Sequence, residues 1–487
     1  MKRLLCFLLI FAAFLCGCQV QSAPAETTPP TTIQTEPLAT EPTEPVRTGF
    51  TGTLEGYSFC HETERDRNWE EEILTVAQVF LEEHPWLVDD TTMTWEVESY
   101  ISTPNWEWKS EYIPEKREAF LAAVNDLIPR IPEYEDEILT WEFQRILAGI
   151  GECHVHLFHN ITEVLPVSFY PFYEDGALSI RIVSLPKAQE HLLYSRLTAI
   201  NGIPIEEVLE RMRPYSACDA DTGFMGNTTI MCFGNPPDLS LPSLLETIGV
   251  MEDNAQGVEL SFRNETGGII TERFPVVSLE DYSDQELLDH SLSLRFPYSF
   301  AYYEDKPYWI DHWEAEKTLY IRLSQYDASQ EEACLETNKE IYAVLNSADT
   351  VDKIILDLRQ NGGGSPSSRV LSGLMNFLRN PKVKQVYVLI DGGAFSMSVI
   401  ASYNIRTEIP DAIFVGTPTG QGLPTGSVRE FAETPHGLLR IRRPGGMSVL
   451  ESGDSFLCFE PDVFVYQTLE DYKNGVDTVL QYVIDQN

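Results

Sequence analysis

The spacing of apolar residues along the chain first predicts helices. In the first predicted helix, between Asn68 and Pro85, the apolar residues at helical spacing are Trp69, Ile73, Val76, Ala77 and Phe80. The second predicted helix runs from Glu115 to Ile128, with Pro114 at its start, where a missing N–H removes no helical hydrogen bond. The third has a consistent apolar face before a predicted stop at Gly151. That face consists of Leu139, Phe143, Ile146, Leu147 and Ile150. We therefore expect residues 50 to 165 to form a helical domain.

Alternating apolar and polar positions follow in residues 166 to 275. Runs such as Ala177–Val183 and Gly257–Phe262 predict strands. The stretch SRLTAINGIPIEEVLERM contains a strand, a turn at Asn201-Gly202 and a short helix. It resembles the corresponding segment of PDZ-type modules, which bind extended peptides by strand addition. A PDZ-like, β-rich domain is therefore expected here.

Beyond about residue 305, apolar runs alternate with helical stretches. The predicted strands are Leu319–Leu323, Lys353–Leu358, Val386–Ile390 and Ala412–Val415. Strands separated by helices favour an α/β fold with a largely parallel sheet. The expected third domain spans residues 276 to 487.

The N-terminus predicts export and a lipid anchor. Two basic residues precede an apolar run that ends at Leu15, too short to cross a bilayer but suited to a signal peptide. The sequence LCGC, which ends at Cys18, is similar to a bacterial lipobox. Residues 1 to 17 are then expected to be removed and Cys18 to be lipidated; an ordinary signal peptide with incidental cysteines is the alternative. Residues 18 to 49, dominated by Thr, Pro and Glu, would form an extended linker.

The acidity of the chain argues against some partners. With 75 acidic and 34 basic residues, its formal net charge is −41 at pH 7. Nucleic acid and anionic lipid head groups are poor partners for such a surface. The sequence contains nine cysteines but no CxxC pair of the kind that binds metals.

Two glycine-rich turns carry residue types needed for acyl transfer. In KIILDLRQNGGGSPSS a strand leads into a run of glycines around Gly363, whose N–H groups can approach an anion closely. In QVYVLIDGGAFSMSVIASYNI, Ser396 follows a strand and a Gly-Gly turn, and the N–H of Met397 can face a developing oxyanion. Taken alone, Ser396 is better explained as a helix cap. The glycine loop alone is as often a plain tight turn.

Together with KTLYIRLSQY and VGTPTGQG, these two segments resemble the tail-specific (C-terminal-processing) and tricorn-core-like serine peptidases. The likeness follows the same order over residues 307 to 487. It implies a crotonase-like α/β peptidase core with the nucleophile at Ser396. It also implies that a Gly of the Asn-Gly-Gly segment donates to the oxyanion hole, a position that Gly363 matches best, with Gly362 close behind. The N–H of Met397 is the second expected donor.

The resemblance implies a histidine base. The processing branch of the family uses a Lys within Gly-Lys-Gly, and this chain has Gln421 there. Because Gln cannot act as a general base, we expect no catalytic role for Gln421. The tricorn-like branch uses a His after the helical domain, which maps onto His154 in IGECHVHL. Glu152 and Val155 stand where that branch has Asp and Thr.

Alternatives remain open around this base. His154, His156 and His159 could together hold a metal, or form a plain surface cluster. His436 is a second candidate base. The residue that would orient the imidazole is not assigned. Two acidic residues fall in the right region of the sequence: Glu451 and Asp454.

The expected function is that of a serine endopeptidase acting through an acyl-enzyme, without a cofactor. Its expected location is the bacterial cell envelope, outside the cytoplasm, anchored to a membrane by lipid. Its expected partners are a polypeptide substrate and that membrane. A catalytically silent peptide-binding lipoprotein on the same fold is the first alternative, and a metal-dependent hydrolase is the second.

Overall fold

The computed structural model describes most of the chain after residue 48. The described residues are 49–89, 106–109, 112–174, 176–217, 221, 223–225, 238–252, 255–300, 307–450 and 453–486. The predicted signal peptide, Cys18 and the linker as far as residue 48 lie outside them, and so does Glu451.

Three helices and one short strand begin the described chain. They are α1 (Glu64–Glu83), β1 (Trp106–Lys109), α2 (Pro114–Leu127) and α3 (Asp136–Ala148), with a 3-10 turn at Ile128–Glu133. The first helix is capped by Thr63, whose side chain accepts from the N–H of Asp66. As predicted, Pro114 begins α2. The third helix ends at Ala148, and Gly151, with φ +77°, then turns the chain toward residue 154.

Short strands and helices fill the middle segment. The strands are β2 (Glu163–Val164), β3 (Ser168–Glu174), β4 (Ala177–Pro186), β5 (Arg196–Ile200), β6 (Ile203–Pro204), β7 (Gly257–Arg263), β8 (Ile269–Pro275), β9 (Val277–Ser278) and β10 (Leu287–Asp289). The helices are α4 (Ile205–Met212), α5 (Pro242–Thr247), α6 (Leu279–Asp284), α7 (Leu292–Arg295) and α8 (Pro297–Phe300), with 3-10 turns at Lys187–Leu192 and Arg213–Tyr215.

Seven of these strands form one antiparallel sheet. Its order is β10-β4-β5-β7-β8, with β3 added on β4 and β6 on β5, while β2 and β9 pair separately. The predicted turn at Asn201-Gly202 joins β5 to β6. Both residues have positive φ, 47° and 78°, as the tight turn of a hairpin requires.

The C-terminal part alternates strands and helices. The strands are β11 (Tyr308–Trp313), β12 (Thr318–Leu323), β13 (Tyr326–Asp327), β14 (Val351–Asp357), β15 (Gly364–Ser365), β16 (Val383–Ile390), β17 (Ile413–Gly416), β18 (Thr425–Phe431), β19 (Arg442–Leu450) and β20 (Val463–Phe464). The helices are α9 (Glu331–Ser347), α10 (Ser368–Leu378), α11 (Met397–Glu408), α12 (Leu469–Asn474) and α13 (Thr478–Ile484), with a 3-10 turn at Ala328–Gln330.

A six-stranded sheet organises this part in the order β11-β12-β14-β16-β17-β20. Only its first pair is antiparallel, so the predicted α/β fold with a largely parallel sheet is confirmed. Neighbouring residues of β14 serve opposite faces: Leu356 packs in the core with α9, α10 and α11, and Ile355 packs with α13. Since β14 and β16 are adjacent and parallel, the loops after them leave the same edge of the sheet. One loop carries Gly363 and the other carries Ser396.

A small antiparallel sheet, β1-β19-β18, completes the architecture. The loop between β18 and β19 reaches the helices, where Leu439 and Ile441 join the core around Phe80 and Phe143. In the described part of the chain, no helix has both the length and the apolar character that crossing a membrane would require.

Candidate active site

Ser396 lies at a strained turn between strand β16 and helix α11. Its backbone has φ 53° and ψ −120°, a conformation that costs a residue with a side chain about 1–3 kcal/mol. It occupies the N-cap position of α11, yet its side chain makes no capping hydrogen bond. The helix-cap explanation of this serine is therefore not supported. A serine on such a turn presents its hydroxyl at the edge of the sheet.

The hydroxyl of Ser396 meets the imidazole of His154, although 242 positions separate them in the sequence. The distance from Oγ to Nε2 is 3.0 Å, and Nδ1 of the same ring lies 2.9 Å from Oε1 of Glu152. If Glu152 is ionised it can only accept, so Nδ1 carries a proton in this pair and Nε2 can accept from the hydroxyl. Serine, histidine and glutamate thus form one chain of hydrogen bonds.

Glu152 is held on several sides. It is buried, and its carboxylate accepts from the N–H groups of His154 and Gly426, each at 3.1 Å. Burial acts to raise the pKa of Glu152, but the neighbouring His154 and the N–H of Gly426 outweigh it, so the pKa lies below its usual value. The carboxylate is therefore charged at neutral pH.

A single turn places Glu152 beside His154. The N–H of Val155 donates to the carbonyl oxygen of Glu152 at 3.0 Å, closing a turn over residues 152 to 155. This bends the Glu152 side chain back toward the ring two residues later. The two acidic residues considered from the sequence as orienting groups were Glu451 and Asp454. Asp454 is exposed, and Glu451 lies outside the described residues. A carboxylate that can accept the N–H two residues on, within a turn, was the signal that could have identified Glu152.

The glycine loop packs directly against the serine turn. Gly363 has φ +88°, and a Cβ built on it would lie 2.6 Å from Cβ of Ser396 and 2.7 Å from N of Met397. Buried Asn361 ties the loops together, since its carbonyl accepts from Phe395 N–H and its Nδ2 donates to Leu323.

The two predicted oxyanion donors differ in their availability. The N–H of Met397, in the first turn of α11, donates no hydrogen bond within the described part of the chain. By contrast, the N–H of Gly363 already donates to Oδ1 of Asn361 at 2.9 Å. Both N–H groups were expected to donate to an oxyanion, and of these two the structure leaves only that of Met397 open.

Gln421 lies beside both the serine and the histidine. It is 2% exposed, and its Oε1 accepts from the N–H of Ser396 at 2.8 Å. Its Nε2 is 3.4 Å from Nδ1 of His154.

The other histidines of the sequence analysis lie in different surroundings. His159 stacks on Trp141 with ring centroids 3.8 Å apart, and burial lowers its pKa to about 3. His156 is half-buried beside Phe158, and desolvation, followed by the effect of His154, lowers its pKa to about 3. Neither neighbour has the contact with the serine that His154 has. His436 pairs instead with Glu71 on α1, at 3.0 Å.

The three contacting side chains can perform acyl transfer. A hydroxyl hydrogen-bonded to a neutral imidazole can be deprotonated as it attacks, and a carboxylate stabilises the imidazolium that forms. The N–H of Met397 at the helix start is a donor that could stabilise negative charge on a carbonyl oxygen bound beside the serine.

Comparison with known proteins gives one family match and solved structures of similar fold. The model of the family described as Peptidase family S41 matches residues 317–383, from β12 through the glycine loop to the start of β16. Mature CPAF, a solved structure, is similar with a TM-score of 0.53 and 12% identity over 87% of this chain and 96% of that one. Its complex with lactacystin gives 0.52 and 12%, over 87% and 98%. The photosystem II D1 C-terminal processing protease has a TM-score of 0.33 and 10% identity, over 83% and 94%. No curated protein sequence matches the chain.

Proposed function

We propose that the chain is a serine-type peptidase of family S41 that cleaves polypeptides with Ser396 as nucleophile and His154 as general base. The observation that carries the proposal is the pair of contacts on one imidazole, 3.0 Å to the serine Oγ and 2.9 Å to Glu152. One ring nitrogen can therefore accept the hydroxyl proton while a carboxylate holds the other.

The reaction proceeds in two halves. First, Nε2 of His154 takes the hydroxyl proton as Oγ of Ser396 bonds to the substrate carbonyl carbon. The imidazolium keeps the proton on Nδ1, which stays hydrogen-bonded to Glu152. It gives the Nε2 proton to the amine that leaves when the C–N bond breaks. Water then loses a proton to Nε2 and attacks the ester, and the product acid departs as the serine regains its proton.

The oxyanion of each tetrahedral intermediate is stabilised mainly by the N–H of Met397 at the start of α11. Gly363 can contribute only by sharing its N–H between the oxyanion and Asn361, or by giving up the Asn361 bond. The close packing of Gly363 on Ser396 supports a place for this loop beside the substrate carbonyl.

Three domains serve this chemistry in the proposal. Residues 276 to 487 are a crotonase-like peptidase core, and residues 50 to 165 are a helical domain that supplies the base. Residues 166 to 275 are a PDZ-like module that takes a peptide end by strand addition. The antiparallel sheet with its hairpin at Asn201-Gly202, followed by α4, supports that assignment.

The proposed location is the bacterial cell envelope, outside the cytoplasm. Cys18 would be lipidated after residues 1 to 17 are removed, and residues 18 to 49 would hold the peptidase away from the membrane. The lipobox-like LCGC sequence and the Thr/Pro/Glu-rich stretch after it support this proposal.

A fluorophosphonate probe, which reacts with activated serines, tests the peptidase function. The purified protein should be labelled, and peptide mapping should find the label on Ser396. Ser396→Ala should remove the label, whereas Ser398→Ala, two residues along the same helix, should keep it. Absence of labelling in the folded wild-type protein, with peptide binding retained, would favour the catalytically silent alternative.

A further inference from the structure

Gln421 lies beside both reacting residues, although the proposed mechanism gives it no task. It is almost fully buried, and its two amide atoms face different partners. Oε1 accepts from the N–H of Ser396 at 2.8 Å, and Nε2 lies 3.4 Å from Nδ1 of His154. The hydroxyl of Thr419 donates to the backbone carbonyl of Gln421 at 2.8 Å. This bond fixes the loop that carries the Gln421 side chain. The expectation that Gln421 is not a catalytic residue stays a prediction, and these contacts point to a different task for its side chain.

The first contact fixes the backbone of the nucleophile. Ser396 has a positive φ, which a residue with a side chain keeps only when its surroundings hold it. The bond from its N–H to Gln421 is one such restraint. Removing that acceptor would leave a donor unsatisfied in the turn and let the hydroxyl move from its place beside His154.

The second contact concerns charge. Since Nδ1 of His154 donates to Glu152, it has no lone pair for the amide of Gln421, and the 3.4 Å approach is a contact between two N–H groups. A neutral amide tolerates this position. A lysine ammonium there would repel the imidazolium that forms during the reaction.

The remaining groups that face His154 are of few kinds. Among the described residues that line the small cavity beside His154, Glu152 is the only carboxylate. Desolvation lowers the pKa of His156 to about 3 and that of buried His84 to about 4, so both are uncharged at neutral pH. Arg442 lines the same small cavity as His154.

We propose that Gln421 is a positioning residue of the peptidase site: it holds the Ser396 backbone through its carbonyl oxygen and keeps the position beside His154 uncharged. This inference rests on the proposed function. It also explains why a chain with a histidine base has Gln at the position where the Ser-Lys branch has Lys. At this distance a lysine ammonium and a protonated imidazole would repel one another.

Two charged replacements test the electrostatic half. Gln421→Glu keeps an acceptor for Ser396 but adds a carboxylate that favours the protonated ring. The acid limb of the kcat profile should therefore move to higher pH by about one unit or more. Gln421→Lys adds a positive charge that disfavours the protonated ring. Its acid limb should move to lower pH, and its plateau kcat should fall by about 100-fold.

A neutral replacement tests the positioning half. Gln421→Met fills a similar volume without an acceptor for the Ser396 N–H. Its kcat should fall by about 10- to 100-fold, with KM changed less than threefold and the acid limb unmoved. If Gln421 were purely structural, its replacement would change the stability of the protein, and the acid limbs of the two charged variants would not move in opposite directions.

Gln467 offers a matched control. Its side chain also accepts from a backbone N–H, that of Thr478, and donates to a carbonyl, that of Val476. Gln467→Glu and Gln467→Lys should leave the pH profile in place. Peptide turnover and fluorophosphonate labelling of the wild-type protein are measured first, because their failure overturns the peptidase function itself. If the wild type is active and the acid limb does not move to higher pH in Gln421→Glu, the Gln421 inference is overturned. The glutamate variant decides alone should the lysine variant fail to fold.

Discussion

At the scale of single residues, Glu152 determines which nitrogen of His154 can take a proton. Its carboxylate accepts from Nδ1 at 2.9 Å and leaves Nε2 facing the serine 3.0 Å away. An amide in place of the carboxylate could donate to Nδ1 and so hold the ring in the opposite tautomer.

The change Glu152→Gln should therefore lower kcat by roughly 10³- to 10⁴-fold, with a smaller effect on KM. Steady-state kinetics on a peptide substrate measures both. Glu142→Gln, in α3, is a control outside the site, since Glu142 pairs with Arg145 and Tyr215. An activity loss of less than tenfold in Glu152→Gln would mean that another group orients the imidazole.

Ser396 and His154 should behave as one unit. Removing either partner abolishes activated attack, so their effects should not multiply. We expect Ser396→Ala and His154→Ala each to lose about 10⁴- to 10⁶-fold in kcat, and the double variant to be little worse than either. Multiplying losses, or full activity in His154→Ala together with inactivity in His436→Ala, would contradict the pairing.

Ser396 and His154 were predicted from the resemblance to the tail-specific and tricorn-core-like peptidases, because each lies in a short motif that carries this resemblance. Ser396 follows a strand and two glycines, and His154 follows a helix. Glu152 was harder to assign, since its role depends on a turn that brings it back onto the ring. The contacts of Gln421 depend on two loops that are distant in sequence and meet only in the folded sheet.

At the scale of elements, the glycine loop and the serine turn form one packed unit at the edge of the sheet. Their approach leaves no room for a side chain on Gly363, because its Cβ would lie 2.6 to 2.8 Å from atoms of Ser396, Met397 and Phe395. The loop therefore fixes the position of the first turn of α11.

Gly363→Ala should abolish at least about 99% of peptidase activity while the protein remains folded. Gly267→Ala is the control, because Gly267 has φ +87° against +88° for Gly363, but nothing lies within 4 Å of its Cβ position. Both changes carry a similar backbone penalty, of about 1–2 kcal/mol. If Gly363→Ala and Gly267→Ala have comparable thermal stabilities and comparable peptidase activities, the close packing at Gly363 is not needed for activity.

Elements of this core were predictable where burial makes the pattern simple. Strands covered on both faces appear as continuous apolar runs, so β12, β14, β16 and β17 were located to within a few residues. The ribbon of β18 and β19 was not predicted, because β19 contains Pro444 and two glycines that interrupt a strand pattern. That ribbon supplies the Gly426 N–H to Glu152, so part of the site was missed with it.

At the scale of the whole molecule, a peptidase on a lipid anchor should depend on Cys18 for its location and not for its chemistry. Cys18→Ala should move the protein from the membrane fraction to the soluble fraction and remove metabolic lipid label. Specific activity of the released protein should remain within about twofold of the wild type. Cys16→Ala is the matched control and should stay bound. Continued membrane binding and labelling of Cys18→Ala would rule out this anchor.

The C-terminal helix is joined to the sheet by a buried ion cluster. Arg359, just after β14, makes two hydrogen bonds of 2.8 Å to Asp477 at the start of α13 and also binds Asp357. Burial acts to raise the pKa of Asp477, but the charge and hydrogen bonds of Arg359 outweigh it, so the pKa is lowered. A carboxyl whose folded pKa is below its unfolded value stabilises the fold above the unfolded value, near about 4. That contribution is lost as the pH falls through the folded pKa.

Asp477→Asn should consequently destabilise the protein by roughly 3 kcal/mol at pH 7, because it leaves a buried guanidinium with one carboxylate instead of two. The difference from the wild type should begin to shrink below about pH 4, where the carboxyl of the unfolded chain takes up a proton, and should close as the pH falls through the lower pKa of the folded state. Urea unfolding of both proteins at pH 7, 5 and 3.5 measures this, with exposed Asp284→Asn as the control. A gap between wild type and Asp477→Asn that stays constant over this range would mean that the ion pair does not stabilise the join between sheet and helix. If the difference in unfolding free energy closes only at the lowest pH, the loss of stability in acid at this contact between sheet and helix comes from Asp477 and not from the net charge of −41.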